Sequence, residues 1–119
     1  MTVLDASAVL AYLQGESGAD TVERSLDGAV IGAANWSEVL ARLGYGIEAR
    51  LADAVLIARG VTVEPVTKLD AELGAKLRMG APALSLGDRL CLALGERLDS
   101  VVLTADRAWG ASERVSQIG

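Results

Sequence analysis

Four acidic residues occupy positions from which a folded chain could bring them together. They are Asp5 in VLDASA, Glu38 in NWSEVL, Asp88 in SLGDRL and Asp106 in VLTADRAW. Two carboxylates about 4 Å apart repel each other by about 4 kcal/mol at an effective dielectric constant of about 20, so such a cluster persists mainly where a divalent cation binds it. The chain has no histidine, which leaves few other groups for hydrolytic chemistry. If the four acids converge, we expect a metal-dependent phosphodiesterase.

Two of these acids have simple structural alternatives. Asp5 could cap the helix expected to begin near Ser7, because a short acceptor at a helix start satisfies free backbone N–H groups. Glu38 precedes Arg42 by four residues, so an exposed ion pair on a helix surface would also account for it. Sequence position alone leaves these alternatives open.

Capping patterns offer alternatives for the other two acids. Three patterns of the capping-box type predict helix starts, namely Ser17-x-x-Asp20, Thr67-x-x-Asp70 and Ser85-x-x-Asp88. Asp88 could therefore be an ordinary helix-start residue. Asp106 could likewise be a first-turn acid behind a Thr104 cap. The metal hypothesis depends on all four acids together.

The elements that must position these residues alternate along the chain. The predicted order is a strand at 2–5, helices at 7–13 and 17–27, a strand at 29–32, helices at about 34–43 and 47–59, a strand at 61–66, helices at 67–80 and 85–98, a strand at 100–104, a short helix at 105–109 and an edge strand at 114–118. Strands alternating with helices favour right-handed crossovers and a parallel sheet. We therefore predict a single α/β domain over 1–119, a three-layer α/β/α fold with a mostly parallel central sheet of four to five strands.

This topology gives two acids a special place. Asp5 directly follows the first strand, and Asp106 lies two residues beyond Thr104 at the end of another. Ligands of parallel sheets bind beyond the carboxyl ends of the strands. Asp5 and Asp106 are therefore expected at the edge of the sheet where a ligand would bind.

Composition limits the remaining possibilities. The chain is 51% hydrophobic but only 3% aromatic, so its core must be built from aliphatic side chains in a layered α/β protein. A single cysteine, Cys91, excludes a disulfide framework and is expected to be a buried, inert thiol. The net charge of −5 argues against a general nucleic-acid coat protein. With no signal-type segment or long apolar run, we expect a cytoplasmic protein without membrane association.

The acidic motifs, taken in order, carry a resemblance to a known family. VLDASA at the amino terminus, a helical Glu about thirty residues later, an Asp opening a leucine-rich helix and LTADRAW after the last long strand resemble the PIN-domain ribonucleases, in particular the VapC-type toxins of type II toxin–antitoxin pairs. The resemblance covers essentially the whole chain. This chain is somewhat compact for the family, and Gly87 and Arg89 beside Asp88 depart from the usual pattern.

The resemblance implies specific roles for residues of this chain. Its acidic quartet would be Asp5, Glu38, Asp88 and Asp106, with Ser7 and Thr104 at small hydroxyl positions beside it. It also implies an RNA substrate, a cognate antitoxin that covers the acidic groove, and a homodimer. The two hydroxyls could equally well serve only local backbone bonding.

All-oxygen ligands favour hard cations, so we expect Mg²⁺ or Mn²⁺, as one or two ions, bound by Asp5, Asp88 and Asp106. Such an ion lowers the pKa of a bound water and orients it for in-line attack on a phosphodiester. We predict products with a 5′-phosphate and a 3′-hydroxyl, with Glu38 binding metal or orienting the water. Arg89 and Arg107, each adjacent to a site acid, are the candidate RNA-binding cations, although both could be ordinary solvated arginines.

Two other classes of function remain. Asp5 could be the nucleophile of an aspartate-based phosphatase or a phosphoacceptor domain, but the phosphatase pattern needs a second Asp where this chain has Ser7. A receiver domain needs a lysine near the end, and none follows Lys76. The second class is a catalytically silent PIN-like binding module, against which the intact acids argue. A dinucleotide-binding function is excluded, because no G-x-G-x-x-G follows a strand.

Overall fold

The computed structural model describes residues 1–119 and contains five strands, six α-helices and one short 3₁₀ helix. In chain order these are β1 Thr2–Leu4, α1 Ala6–Gln14, α2 Ala19–Ser25, β2 Val30–Gly32, α3 Ala33–Arg42, α4 Ile47–Ala58, β3 Thr62–Glu64, α5 Lys68–Gly80, α6 Leu86–Arg97, β4 Val101–Thr104, the 3₁₀ helix Arg107–Trp109 and β5 Val115–Gln117. Every element predicted from the sequence is present, with bounds shifted by a few residues. None of the helices is both long and apolar enough to span a membrane.

The five strands form one sheet in the order β3-β2-β1-β4-β5. All four neighbouring pairs are parallel. The predicted α/β class and parallel sheet are therefore confirmed, with the larger of the two predicted strand numbers. β5 lies at an edge, as its sequence indicated, and β1 occupies the centre.

One face of the sheet packs against α6. Val3, Val30 and Val102 are register partners across β1, β2 and β4. Because successive residues of a strand point to opposite faces, these valines form one row. They join Cys91 and Leu94 of α6 in a buried cluster. This row anchors α6, the helix that carries Asp88.

The other face packs against the helices of the first half of the chain. Leu4, Ile31 and Leu103 form the second row of register partners. They belong to a larger cluster that includes Val9 of α1 and Val39 of α3. Two packed faces make the predicted three-layer α/β/α arrangement.

Two of the three predicted capping boxes are present. The Thr67 hydroxyl accepts the N–H of Asp70, and the Asp70 carboxylate accepts the N–H of Thr67. Ser85 and Asp88 make the same reciprocal pair at the start of α6. Both patterns therefore fix the position at which a helix begins.

The capping box predicted for Ser17 and Asp20 is wrong. The helix is capped one residue later by Gly18, whose φ is 91°, and no side chain caps it. A Cβ at Gly18 would lie 2.5 Å from the carbonyl oxygen of Ile118. The close approach of the C-terminal segment therefore requires glycine here, a long-range constraint that the local pattern does not contain.

Candidate active site

A cavity of about 280 Å³ lies beyond the carboxyl ends of β1 and β4, and we term it the acidic groove. Its lining residues are Asp5, Ala6, Ser7, Leu10, Glu38, Arg42, Asp88 and Asp106. The structure thus brings all four acids predicted from the sequence to one surface. Asp5 and Asp106 reach it from strand ends, Glu38 from α3 and Asp88 from α6.

Asp5 is buried at the end of β1, with 4% of its surface exposed. It occupies the N-cap position of α1, but its carboxylate makes no capping hydrogen bond. Instead, the Ser7 hydroxyl donates to Asp5 Oδ2 at 2.6 Å, and the Thr104 hydroxyl donates to the same oxygen at 2.9 Å. Helix capping therefore does not explain this buried carboxylate.

Backbone groups beyond β4 hold the two hydroxyls in place. The N–H of Ala105 donates to Ser7 Oγ at 2.9 Å, and the N–H of Asp106 donates to Thr104 Oγ1 at 3.0 Å. The two hydroxyl oxygens lie 3.2 Å apart. This network joins the first turn of α1 to the end of β4, and it fixes Oδ2 of Asp5.

Glu38 is held by a buried neighbour on its own helix. Asn35, one turn earlier, is 1% exposed, and its side-chain amide donates to Glu38 Oε1 at 2.8 Å. The same nitrogen donates to the carbonyl oxygen of Gly87 at 3.1 Å. Glu38 makes no ion pair with Arg42, so that alternative is not realised.

Asp88 and Asp106 combine a capping bond with a place in the groove. Asp88 Oδ2 accepts the N–H of Ser85 at 3.0 Å. Asp106 Oδ1 accepts the N–H of Ala108 at 2.9 Å, so Asp106 itself, not Thr104, caps the 3₁₀ helix. Asp88 therefore has the helix-start role that the sequence offered as an alternative, whereas Asp106 is the cap itself and not a first-turn acid behind Thr104. Both acids also line the groove.

The four carboxylates share one further property. In each of them the hydrogen bonds from side chains and capping groups fall on a single oxygen. The second oxygen accepts none of these bonds. One oxygen of each carboxylate is thus held in place by these bonds.

Electrostatics link three of the acids. Burial raises the pKa of Asp5; the hydrogen bonds from Ser7 and Thr104 lower it, and the charge of Asp88 raises it further. Burial also raises the pKa of the Cys91 thiol well above its usual value, and the charges of Asp5, Glu38 and Asp88 add to this. Cys91 therefore stays a neutral thiol under the groove, as expected, and the negative potential of three acids converges there.

The cations of the groove differ from those predicted. Arg89 donates to the carbonyl oxygen of Gly74 at 2.9 Å, which directs it into the contact between α5 and α6. Arg107 lies beside the C-terminal Gly119. Neither lines the acidic groove, whereas Arg42 does. Sequence adjacency to an acid does not place a side chain beside it, because consecutive helical residues point in different directions.

Asn35 and Arg42 are the two groove-associated residues that the sequence analysis missed as site residues. Both lie on α3 at helical spacing from Glu38, three residues before it and four residues after it. This spacing places all three side chains on one helix face. This spacing is visible in the sequence, where it predicts for Arg42 only an ion pair with Glu38.

The donor set fits a hard divalent cation, because every candidate ligand is an oxygen and no histidine or other cysteine is present. No three acidic side chains are close enough to form a ready-made metal site. Carboxylates without a cation between them repel one another, and a bound ion offsets that repulsion.

Comparisons with known families and known proteins were made over the whole chain. The profile of the PIN domain family matches residues 2–113. No curated protein matches the sequence significantly. The family match spans nearly the whole chain and includes all four acids.

Several solved structures share the fold. A toxin–antitoxin complex from Klebsiella pneumoniae superimposes with a TM-score of 0.83 at 16% identity, covering 98% of this chain and 96% of that one. VapC20 from Mycobacterium tuberculosis, a toxin that cleaves the sarcin–ricin loop, gives 0.71 at 19% identity, covering 95% and 98%. DNA-bound VapBC from Salmonella typhimurium gives 0.74 at 13% identity, covering 99% and 98%. At these identities the likeness shows the fold.

Proposed function

The chain belongs to the PIN-domain family, and from this premise we propose that it is a ribonuclease that depends on Mg²⁺ or Mn²⁺ and is the toxin of a VapC-type toxin–antitoxin pair. The observation that carries the proposal is the convergence of four carboxylates on one groove at the carboxyl edge of the parallel sheet. The sarcin–ricin loop toxin among the similar structures supports an RNA substrate. The two complexes support a toxin–antitoxin role.

The metal ligands in this proposal are Asp5, Asp88 and Asp106. Asp5 is pre-oriented by two hydroxyls that bind only Oδ2. Asp88 and Asp106 are each held by one backbone N–H at a helix start. Each ligand therefore keeps one oxygen for the ion while the other fixes its direction.

A bound Mg²⁺ or Mn²⁺ would supply a water of lowered pKa and neutralise charge on the phosphodiester. Glu38, whose Oε1 is held by Asn35, would present Oε2 either to the bound ion or to the attacking water. Arg42 lines the groove and makes no ion pair, so its charge is available to bind the phosphate backbone. In-line hydrolysis then leaves a 5′-phosphate and a 3′-hydroxyl.

The test is cleavage of labelled structured RNA by the purified protein with Mg²⁺, Mn²⁺ or EDTA. We expect cleavage with either metal and none with EDTA. Asp5→Asn and Asp88→Asn should each lower kcat by about 100-fold or more, because several kcal/mol of transition-state stabilisation depend on the metal. Mass spectrometry of the products tests the predicted ends.

The matched control is Asp53→Asn. Asp53 is an exposed carboxylate on α4 outside the acidic groove, and its substitution changes the net charge by the same amount. It should leave the cleavage rate unchanged. Cleavage that persists in EDTA, or that Asp5→Asn leaves intact, would exclude the proposed mechanism.

The proposed partners are a cognate antitoxin and a second copy of the chain, in the cytoplasm. A stripe on α4 exposes Ile47, Leu51 and Val55, which are 69%, 60% and 38% exposed and four residues apart. An apolar helix face of this kind suits an amphipathic helix of a partner protein. A basic side chain reaching the acidic groove would also be favoured electrostatically. Growth arrest on expression in bacteria, relieved by co-expressed antitoxin, tests this role, and sedimentation equilibrium tests the dimer.

A further inference from the structure

The contact between α3 and the first turn of α6 contains a buried polar side chain, which helix packing alone does not require. Asn35 is 1% exposed and donates from one nitrogen to Glu38 Oε1 and to the Gly87 carbonyl oxygen. Both neighbours are acceptors, so the amide must present its NH₂ group to them. A buried amide without such partners would be strongly destabilising. The folded protein therefore needs both hydrogen bonds.

Gly87 is the second part of this contact. A Cβ at Gly87 would lie 2.7 Å from Glu38 Oε2 and 2.9 Å from Oε1. The Glu38 carboxylate therefore lies directly over the backbone of Gly87, in space that any other residue would occupy. Gly87 immediately precedes Asp88, so this contact brings Glu38 to the helix turn that carries another site acid.

We propose that Asn35 and Gly87 form a positioning device that fixes the Glu38 carboxylate beside Asp88 and thereby sets the metal affinity of the acidic groove. Asn35 holds Oε1 by a hydrogen bond, and Gly87 provides the room in which Oε2 lies. Neither residue touches substrate or metal. This inference rests on the proposed metal-dependent function and adds a residue-level cause for its geometry.

The first test replaces Asn35 by leucine, which has similar size and shape but no donor. We expect calorimetric titration of the metal-free protein to show Mn²⁺ binding weakened by about 10- to 100-fold, the range found when groups that orient metal ligands are removed. The kcat for RNA should fall by a similar factor with KM unchanged. Val39→Ala, a buried substitution on the same helix, should lower the melting temperature without weakening Mn²⁺ binding.

The second test is Gly87→Ala, which separates positioning from stability. Alanine favours the helix more than glycine, and this gain opposes the loss of the bond from Asn35 to the displaced Glu38 carboxylate, so the melting temperature should change little. Mn²⁺ binding should weaken although the fold is not weakened. Gly80→Ala is the control, because nothing lies within 4 Å of a Cβ there. A crystal structure of Gly87→Ala should show Glu38 displaced.

The outcomes separate this inference from the function on which it rests. If the wild-type chain binds no Mn²⁺ and cleaves no RNA, the proposed function fails. If the wild-type chain does both, and folded Asn35→Leu and Gly87→Ala bind Mn²⁺ as tightly as it does, the positioning device is disproved and the ribonuclease function stands. If Val39→Ala weakened Mn²⁺ binding as much as Asn35→Leu does, the positioning device would also be disproved, because any loosening of α3 would then have the same effect.

Discussion

Asp5 is a residue at which burial opposes charge. It is 4% exposed, and burial raises its pKa despite hydrogen bonds from Ser7 and Thr104. A carboxyl whose pKa is higher in the folded than in the unfolded state binds its proton more tightly when folded. Stability therefore falls as the pH rises from the unfolded value through the folded pKa, and the full cost is present above it. Above its unfolded pKa, Asp5 therefore destabilises the metal-free protein.

Replacing Asp5 by asparagine should therefore reverse the order of stability with and without metal. Without metal we expect Asp5→Asn to melt at a higher temperature than the wild-type chain, since the buried charge is gone. With Mn²⁺ at about 100 times its dissociation constant, the wild-type chain should gain about 2.7 kcal/mol and the variant little. Differential scanning calorimetry at neutral pH measures both, and Asp53→Asn should shift neither curve. A variant that melts below the wild-type chain without metal would contradict this account of Asp5.

At the residue scale, the sequence identified the four acids of the candidate site but did not predict the hydrogen bonds that hold them. VLDASA and LTADRAW predicted Asp5 and Asp106 at the strand ends, where the structure places them. The role of Asn35 depends on Gly87, which lies 52 residues away. Such a pair cannot be recognised before α3 and α6 are packed together.

At the element scale, the start of α6 has two functions. Its capping box satisfies free backbone groups, and it also orients Asp88 through the Ser85 N–H. The start of α5 carries the same box, formed by Thr67 and Asp70 outside the acidic groove. The two capping boxes make the same hydrogen bonds, but only the box at the start of α6 lies at the acidic groove. They can therefore be compared as a matched pair.

We therefore expect Ser85→Ala and Thr67→Ala to have similar effects on stability but different effects on activity. Each should lower the free energy of unfolding by about 1 kcal/mol through loss of a cap. Only Ser85→Ala should also lower the RNA cleavage rate, by about tenfold, because the first turn that carries Asp88 then frays. Urea unfolding and initial cleavage rates measure the two effects. Equal activity losses in both variants would show that the capping box at α6 has no special role.

The elements themselves were predictable because their signals are local. Apolar periodicity and two of the three capping patterns located the helices to within a few residues. The third pattern failed at Ser17, where the backbone of Ile118 approaches Gly18. A contact across a hundred residues overrides a local preference, and no short pattern records it.

At the scale of the whole molecule, the alternating rows of the central strands made the fold predictable. Val3 and Leu4 point to opposite faces, and their register partners on β2 and β4 do the same. Such strands must be covered on both faces, which requires a three-layer arrangement. The relative placement of α3 and α6, and so the shape of the acidic groove, depends on side-chain packing that periodicity does not specify.

An ion pair outside the groove also joins distant elements. Asp70 at the start of α5 is 2% exposed, and it accepts from Arg97 at the end of α6 at 2.6 Å and 3.2 Å. Arg97 also lies 3.7 Å from Glu64 of β3. Burial raises the pKa of Asp70, but its bonds from Arg97 and Thr67 outweigh this and leave the pKa below its usual value. The pair therefore stabilises the assembled layers.

Asp70→Asn keeps the shape and the cap of this site but removes its charge. Because the folded pKa of Asp70 is depressed, its stabilisation is fully present above the unfolded pKa of 3.8 and is lost as the pH falls through the folded value. We expect a loss of about 3 kcal/mol at pH 7 in urea unfolding, shrinking only below about pH 4. Glu72→Gln breaks the exposed pair with Lys68 on the same helix and should cost under about 0.5 kcal/mol. A difference independent of pH would show that the charge of Asp70 does not contribute.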